Sequence, residues 1–390
     1  MNFIGENVRQ LRELNGLSRK ELADKLNVTE QAIWQYENNK TLPSMNVFNM
    51  LSKRFNVSYR YFFIRNHIDN NVTSEEHIAY RADDRDSRKK TKFELQYLNF
   101  IEYYINYFES FLKVPDGIIL NLQKDADQII DTTINRSEKI QKIARLTRDE
   151  LQLTDNRRLM VILERSGIYV LEKKNLGNTI DAYSTITDNG RLFIILGTYR
   201  KSAVRRTFDL AHELGHILLH RNVDMEMLEK KEYKSVEKEA NDFASELLMP
   251  KDTFVNDFQQ IVRPSNPLSY LELKKKYYVS IAALELRAYK LGLLNYQQNR
   301  YFYARMHKFG YKKEEPLDNE WAPIKPGKIK AMMDAVFKNK LLDISDISNT
   351  MYISKTFLID LFDLDNSYFD NFVNRRKQYY SVNKNVINLF

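Results

Sequence analysis

The sequence predicts an α+β chain that is mostly α: an N-terminal all-α unit, a central domain of helices around a small β-sheet, and a C-terminal helical module. Three observations carry this reading. Helix-period apolar positions with capping signals fill both ends of the chain. Short β-runs cluster between residues 168 and 196. His212-Glu213-Leu214-Gly215-His216 lies on the helical stretch that follows them. At 390 residues the chain is too long for one small domain. Its composition shifts suggest a unit at 1–65, a charged linker at 66–92 and a helical connector at 93–150. A central domain at 151–320 with a helical cap and a module at 321–390 complete it.

Composition narrows the chemistry. Cysteine is absent, which excludes disulfides and thiolate metal sites, so any zinc must be held by histidine and carboxylate. The hydrophobic share of 43% with 12% aromatics is enough for ordinary cores. The opening MNFIGENVRQLRELN is amphipathic helix rather than a secretory leader, and no run approaches the roughly 20 apolar residues of a membrane span. A cytoplasmic protein with no membrane partner is expected. The net charge of +8 favours a polyanion partner only weakly, because Lys, Asn, Ile and Tyr richness also follows from AT-rich coding.

The N-terminal elements can be placed in order. Ile4, Val8, Leu11 and Leu14 to Leu17 start the first apolar stripe. Ser18-Arg19-Lys20-Glu21 is a capping box that opens a second helix running through Leu26. Asn27-Val28-Thr29 makes the turn, and Thr29 caps a third helix carrying Ala32, Ile33 and Tyr36. Leu42-Pro43-Ser44 begins a fourth helix through Phe55. Short helix, tight turn, second helix is the helix-turn-helix arrangement, whose second member enters the major groove.

Leu17-Ser18, Glu21-Leu22-Ala23, Leu26 to Thr29, Ile33, Tyr36-Glu37-Asn38 and Leu42-Pro43-Ser44 make this segment resemble the Xre/Cro repressor family over about residues 4–63. The resemblance implies a double-stranded DNA operator as partner. It places Thr29, Glu30, Gln31, Trp34 and Gln35 at the DNA, with Arg19 near the backbone. Gln can pair bidentately with adenine and Arg with phosphate. Trp34 could meet a thymine methyl or bury against a partner surface. Such readers usually bind as homodimers.

From Arg65 to Lys92 the chain is polar and densely charged, as expected of a linker, although Ala79-Tyr80-Arg81-Ala82 resembles a short element found between such domains. The aromatics of Phe93 to Phe111, at three-to-four spacing, read as core rather than as a base-stacking platform.

In the central domain a helix over 156–166 leads to β-runs at 168–171, 179–186 and 192–196, the last two joined by the turn Asp188-Asn189-Gly190. The next helix, about 202–220, carries His212 and His216 at i and i+4 on one face, where both imidazoles can reach one metal ion. Glu213 adjoins the first of these, where its carboxylate can act on a metal-bound water. A tetrahedral catalytic zinc takes three protein ligands plus water, so a third ligand is needed downstream. On a helix over 235–249, Glu237, Ala240, Asn241 and Ala244 form one stripe. Glu237 is favoured as that ligand over Glu239, which points some 160° away. Asn241 would support a ligand from behind. His220, a turn past His216, reads as a buried, hydrogen-bonded histidine supporting the site more readily than as a ligand. Arg206 could orient an acidic group or pair at the surface.

Ile180-Asp181-x-Tyr183-Ser184, Arg206 through His220, and Glu237-x-x-Ala240-Asn241 through Pro250 make residues 156–300 resemble the ImmA/IrrE family of zinc metallopeptidases. The resemblance implies a zincin-like fold, Zn2+ as cofactor, His212, His216 and Glu237 as ligands, and Glu213 as general base. Ala182, where that family usually has Gly, and Asp209, where it has an apolar residue, depart from the pattern without touching these positions.

Residues 268–276 and 280–291 predict two helices around Tyr278-Val279-Ser280, a second helix-turn-helix-like pattern expected to cap the peptidase domain rather than read DNA. The aromatic and basic run 301–313 is expected on its surface, and 321–327 at a boundary. Residues 328–390, with Met332, Ile344, Ile347, Phe357 and Leu361, form a helical module without visible chemistry. The whole suggests a DNA-binding regulator with a site-specific zinc endopeptidase, cleaving a repressor in a stress or mobile-element response. The alternatives are a transcription factor whose peptidase-like domain senses a ligand, metal or protein without proteolysis, or an antitoxin or immunity protein acting by binding.

Overall fold

The computed structural model describes residues 2–64, 68, 87–173, 182–197, 202–223, 225, 227–373 and 387–388, with backbone alone for 87–91, 373, 387 and 388. The expected linker element Ala79 to Ala82 and the motif residues Ile180 and Asp181 lie outside the described residues. The chain divides into two units. One comprises 1–115, 186–190 and 328–390; the other comprises 116–185 and 191–327. Residues 93–150, read above as one connector, are therefore shared between units, and the C-terminal module folds with the N-terminal elements.

The first unit opens with α1 (Gly5–Leu14), α2 (Arg19–Leu26), α3 (Glu30–Glu37) and α4 (Met45–Phe55). The capping box forms as the sequence predicts: Ser18 Oγ accepts from Glu21 N, and Glu21 accepts from Ser18 N. Asn27 takes the left-handed conformation (φ 53°) that ends α2, and Thr29 Oγ1 accepts from Ala32 N to start α3. Gly5 lets α1 cross the end of α3, since a Cβ there would lie 1.9 Å from Tyr36 O. Val8, Leu11, Leu22, Ile33 and Leu51 are fully buried between these helices. A long α5 (Ser87–Glu109) packs against α1 and buries Phe100, Tyr104 and Phe108, so its aromatics are core. β1 (Leu112–Lys113) follows.

The second unit contains α6 (Ile119–Thr132), α7 (Arg136–Glu150) and α8 (Leu159–Arg165), then β2 (Tyr169–Lys173), β3 (Ala182–Ile186) and β4 (Leu192–Gly197). The sheet order is β2-β4-β3, with β2 parallel to β4 and Leu171 opposite Ile195. β4 is buried along its whole length, which is why it reads as a continuous apolar run. α9 (Ala203–Leu219) and α10 (Lys230–Leu248) pack along one another, with α6 against α9 and α7 against α10. α11 (Lys251–Phe258), α12 (Leu271–Tyr277), α13 (Ile281–Lys290) and α14 (Tyr296–Lys308) form the helical cap. On α14 only Phe302 and Met306 are buried, so the basic and aromatic run around it is largely exposed.

The chain then returns to the first unit with α15 (Lys328–Lys338), α16 (Ile344–Asn349), α17 (Lys355–Phe362), α18 (Asp370–Val373) and β5 (Ile387–Asn388), which pairs in parallel with β1. Met332, Ile347, Phe357 and Leu361 are buried, and Ile344 is half-buried. No helix among the described residues is long and apolar enough to cross a membrane.

Candidate metal centre

α9 buries Leu210, Ala211, Leu214, Gly215, Ile217 and Leu218, which turns its remaining stripe, with His212 and His216, toward α10. Gly215 sets the distance between the helices: a Cβ there would meet Phe243 Cδ1 at 3.0 Å and Ala240 Cα at 3.3 Å. Small residues at 215, 240 and 244 therefore bring Glu237 within reach of the histidines. His212 Nε2 and His216 Nε2 lie 3.0 Å apart. Glu237 Oε2 is 3.6 Å from His212 Nε2, and its Oε1 is 3.5 Å from His216 Nε2. Ligands held at 2.0–2.1 Å in a tetrahedron stand ~3.3 Å from one another. The donor set fits zinc in chemistry and spacing. Among the described residues this is the one His/Asp/Glu group able to hold a metal ion. Glu239 belongs to a different contact.

That contact lies behind the histidines. His220 Nδ1 is 3.1 Å from His216 Nδ1, and His220 Nε2 is 3.2 Å from Glu239 Oε2. Glu239 pairs closely with Arg136 of α7, which also donates to Ser235 Oγ at 2.7 Å. The geometry assigns the protons. With His216 Nε2 offered to the metal, its Nδ1–H donates to His220 Nδ1, and His220 Nε2–H donates to Glu239. Burial, followed by the neighbouring His216, pushes the His220 pKa down to about 3, which keeps the ring neutral as that relay requires. The Asn241 amide donates at 2.8 Å to the Glu237 carbonyl one turn back on its own helix.

Glu213 is 6% exposed, and Ser184 Oγ on β3 donates to its Oε2 at 2.8 Å. Reading the residues alone gave Ser184 no role. The tyrosine-serine pair within the β-run was the only signal, and its meaning depends on β3 lying against α9. Arg206 pairs with Glu172 of β2, both nearly buried, and donates to Ile324 O at 3.3 Å. It is a structural ion pair inside the domain rather than a surface one.

In the first unit, Thr29, Glu30, Gln31 and Trp34 are exposed along the N-terminal half of α3, with Gln35 half-buried and Trp34 39% exposed. Arg19 Nε donates to Glu37 at 2.6 Å, and Arg12 Nε donates to the other oxygen of that buried carboxylate at 2.5 Å. Arg19 is thus oriented beside α3 by Glu37.

Residues 8–62 match the family model described as helix-turn-helix, and residues 163–289 match that described as the IrrE N-terminal-like domain. No protein of curated function matches the chain. A solved structure, the apo form of the competence regulator ComR from Streptococcus vestibularis, aligns at 14% identity over 81% of this chain and 94% of that chain. The TM-score of that alignment is 0.17. The two matched segments carry the caps and turn around α3 and the His-His-Glu cluster of α9 and α10, so the chain joins an Xre-type helix-turn-helix domain to an IrrE-like domain of the M78 peptidase family.

Proposed function

We propose that the chain is a DNA-binding transcriptional regulator carrying a zinc-dependent, site-specific endopeptidase. Its substrate is a protein, a repressor or related regulator, in a stress or mobile-element response. The supporting observation is the convergence of His212, His216 and Glu237 on one point, with the buried Glu213 carboxylate on the same helix. Zinc bound there supplies Lewis-acid charge to the scissile carbonyl. Glu213 accepts the proton of the attacking water and delivers it to the leaving amide nitrogen. Ser184 fixes the direction of that carboxylate, and His220 fixes the ring of His216. The apolar side of α9 limits bulk water. On the DNA side, Gln31 and Gln35 supply amides suited to adenine, and Arg19 a charge suited to phosphate.

The experiment is proteome-wide mapping of new N-termini in cells expressing wild type or Glu213→Gln, with and without DNA damage. New termini confined to wild type, at equal zinc content, are expected and would name the substrate. Full cleavage by Glu213→Gln would sink the mechanism. Absence of new termini under every condition, with promoter control unchanged by the substitution, would leave a metallopeptidase-like sensor instead.

A further inference from the structure

Residues 329–373 repeat the frame of residues 4–48 without a net insertion or deletion. Asp343 stands 325 residues after Ser18, and both are N-caps of capping boxes closed three residues later, by Asp346 and Glu21. At the same offset Tyr352 matches Asn27, and both are left-handed, with φ of 55° and 53°. Ser354 then matches Thr29; each hydroxyl accepts from the amide three residues on and opens an eight-residue helix, α17 and α3. α18 begins at Asp370 where α4 begins at Met45. The core follows the same offset: Val8 and Met333, Leu11 and Val336, Leu22 and Ile347, and Ile33 and Leu358 are all at most 1% exposed. The turns on either side differ by one position, with the left-handed residue at Lys340 against Gly16 and at Asp363 against Asn39. Helical periodicity alone could align one helix by accident, but not four helices together with the capped turn between the second and third.

The second copy has closed part of its reading face. Ile359, at the place of exposed Trp34, is 9% exposed. Phe357, at the place of Ala32, is buried with its ring 5.9 Å from Phe100 and 5.8 Å from Tyr104 of α5. Tyr97 Oη donates to Leu361 O. The buried Arg12–Glu37 pair of the first copy becomes Phe337 and Phe362, and both meet Phe108 of α5. What α17 leaves exposed is Thr356 and Asp360, at the places of Gln31 and Gln35; an acid replaces the second amide, and it accepts from Asn56 Nδ2 of the first copy rather than standing clear of it.

What the second copy does instead is grip the first. Asn56-Val57-Ser58, after α4, is another left-handed turn with a capping serine, and it pairs antiparallel with Tyr352-Ile353-Ser354. Ser58 N donates to Tyr352 O and Ser354 N to Asn56 O, both at 2.8 Å, so two like turns face each other across a local twofold axis. Val57 and Ile353 are buried in the bridge. α5 packs against both α1 and its counterpart α15.

We infer that residues 329–373 are a second, non-reading helix-turn-helix copy that serves as a built-in partner of the first, leaving one reading helix per chain. The α4 edge is occupied from within, so the homodimer expected from the sequence would have to use another face. The single-reader part rests on the assignment of α3 to DNA.

Hydrogen exchange on the full chain tests the partnership. Ile353→Ala should speed exchange at Asn56 to Ser58 at least tenfold while α9 and α10 keep wild-type rates, and Ile353→Val should behave as wild type. If Ile353→Ala disturbs folding, Ser58→Pro, which removes one donor at a φ of −71° that proline accepts, should speed exchange at Ser354. Unchanged rates across the bridge would overturn the partnership. Selection from a random 30-base-pair duplex library tests the reader count. One uninterrupted element should be enriched, lost in Gln31→Ala/Gln35→Ala and kept in Lys355→Ala/Thr356→Ala. Two elements, or a preference changed by the Lys355 and Thr356 pair, would overturn a non-reading copy. If wild type enriches nothing, the DNA assignment of α3 fails, and the exchange result alone decides the partnership.

Discussion

His216 has its two ring nitrogens committed in opposite directions, one toward His212 and Glu237 and the other toward His220. Partners behind a metal ligand typically contribute 10–100-fold to metal affinity. His220→Phe should therefore weaken zinc binding by about that factor, measured by chelator competition. An unchanged affinity would show that the ring of His216 is held by packing alone. Ser184 acts on the other functional group. Losing a hydrogen bond to a carboxylate costs about 1.5 kcal/mol, so Ser184→Ala should lower kcat roughly tenfold. KM and zinc content should stay near wild type. A KM effect of the same size would make Ser184 a substrate contact rather than a support for Glu213.

At the scale of elements, the α9–α10 crossing decides whether Glu237 reaches the histidines. Gly215→Ala places a methyl against Phe243 and the Ala240 backbone, and such overpacking costs about 1–3 kcal/mol. The variant should lose that stability in urea unfolding and bind zinc more weakly, because the displaced helix carries a ligand. Normal zinc affinity would argue that α10 slides without moving Glu237. In the cap, Glu285 of α13 is fully buried, and burial pushes its pKa up to about 7, offset in part by Tyr303 and Asn299. The folded state thus binds its proton more tightly than the unfolded chain. Its stabilising contribution is complete below about pH 4.5 and is lost as pH rises through about 7, on the order of 3 kcal/mol in all. Glu285→Gln should flatten the stability profile of the second unit across that window. A profile unchanged by the substitution would mean that the carboxylate is solvated in the native state.

For the whole molecule, the two units predict separable responses to metal. Zinc at 100 times its dissociation constant stabilises what it binds by about 2.7 kcal/mol. Hydrogen exchange with and without zinc should change through α9 and α10, with α1 to α4 keeping their rates. Loss of protection in α1 to α4 on chelation would instead tie the DNA-reading unit to the metal.

The amino-acid pattern alone determined the caps of α2 and α3, the i, i+4 placement of His212 and His216, and that Glu237 rather than Glu239 groups with them, because each depends on residues within a few turns of one another. Tertiary structure decided the rest. Ser184 meets Glu213, and Arg136 meets Glu239, only because β3 lies beside α9 and α7 beside α10. The fate of residues 328–373 was hidden for a related reason. Their apolar spacing announced helices, but a helix-turn-helix frame is recognised by its caps and exposed reading face, and this copy has put apolar Phe357 and Ile359 into that face and buried them, Phe357 against α5. Local chemistry fixes what an element is, whereas the partner that covers it is set by residues hundreds of positions away.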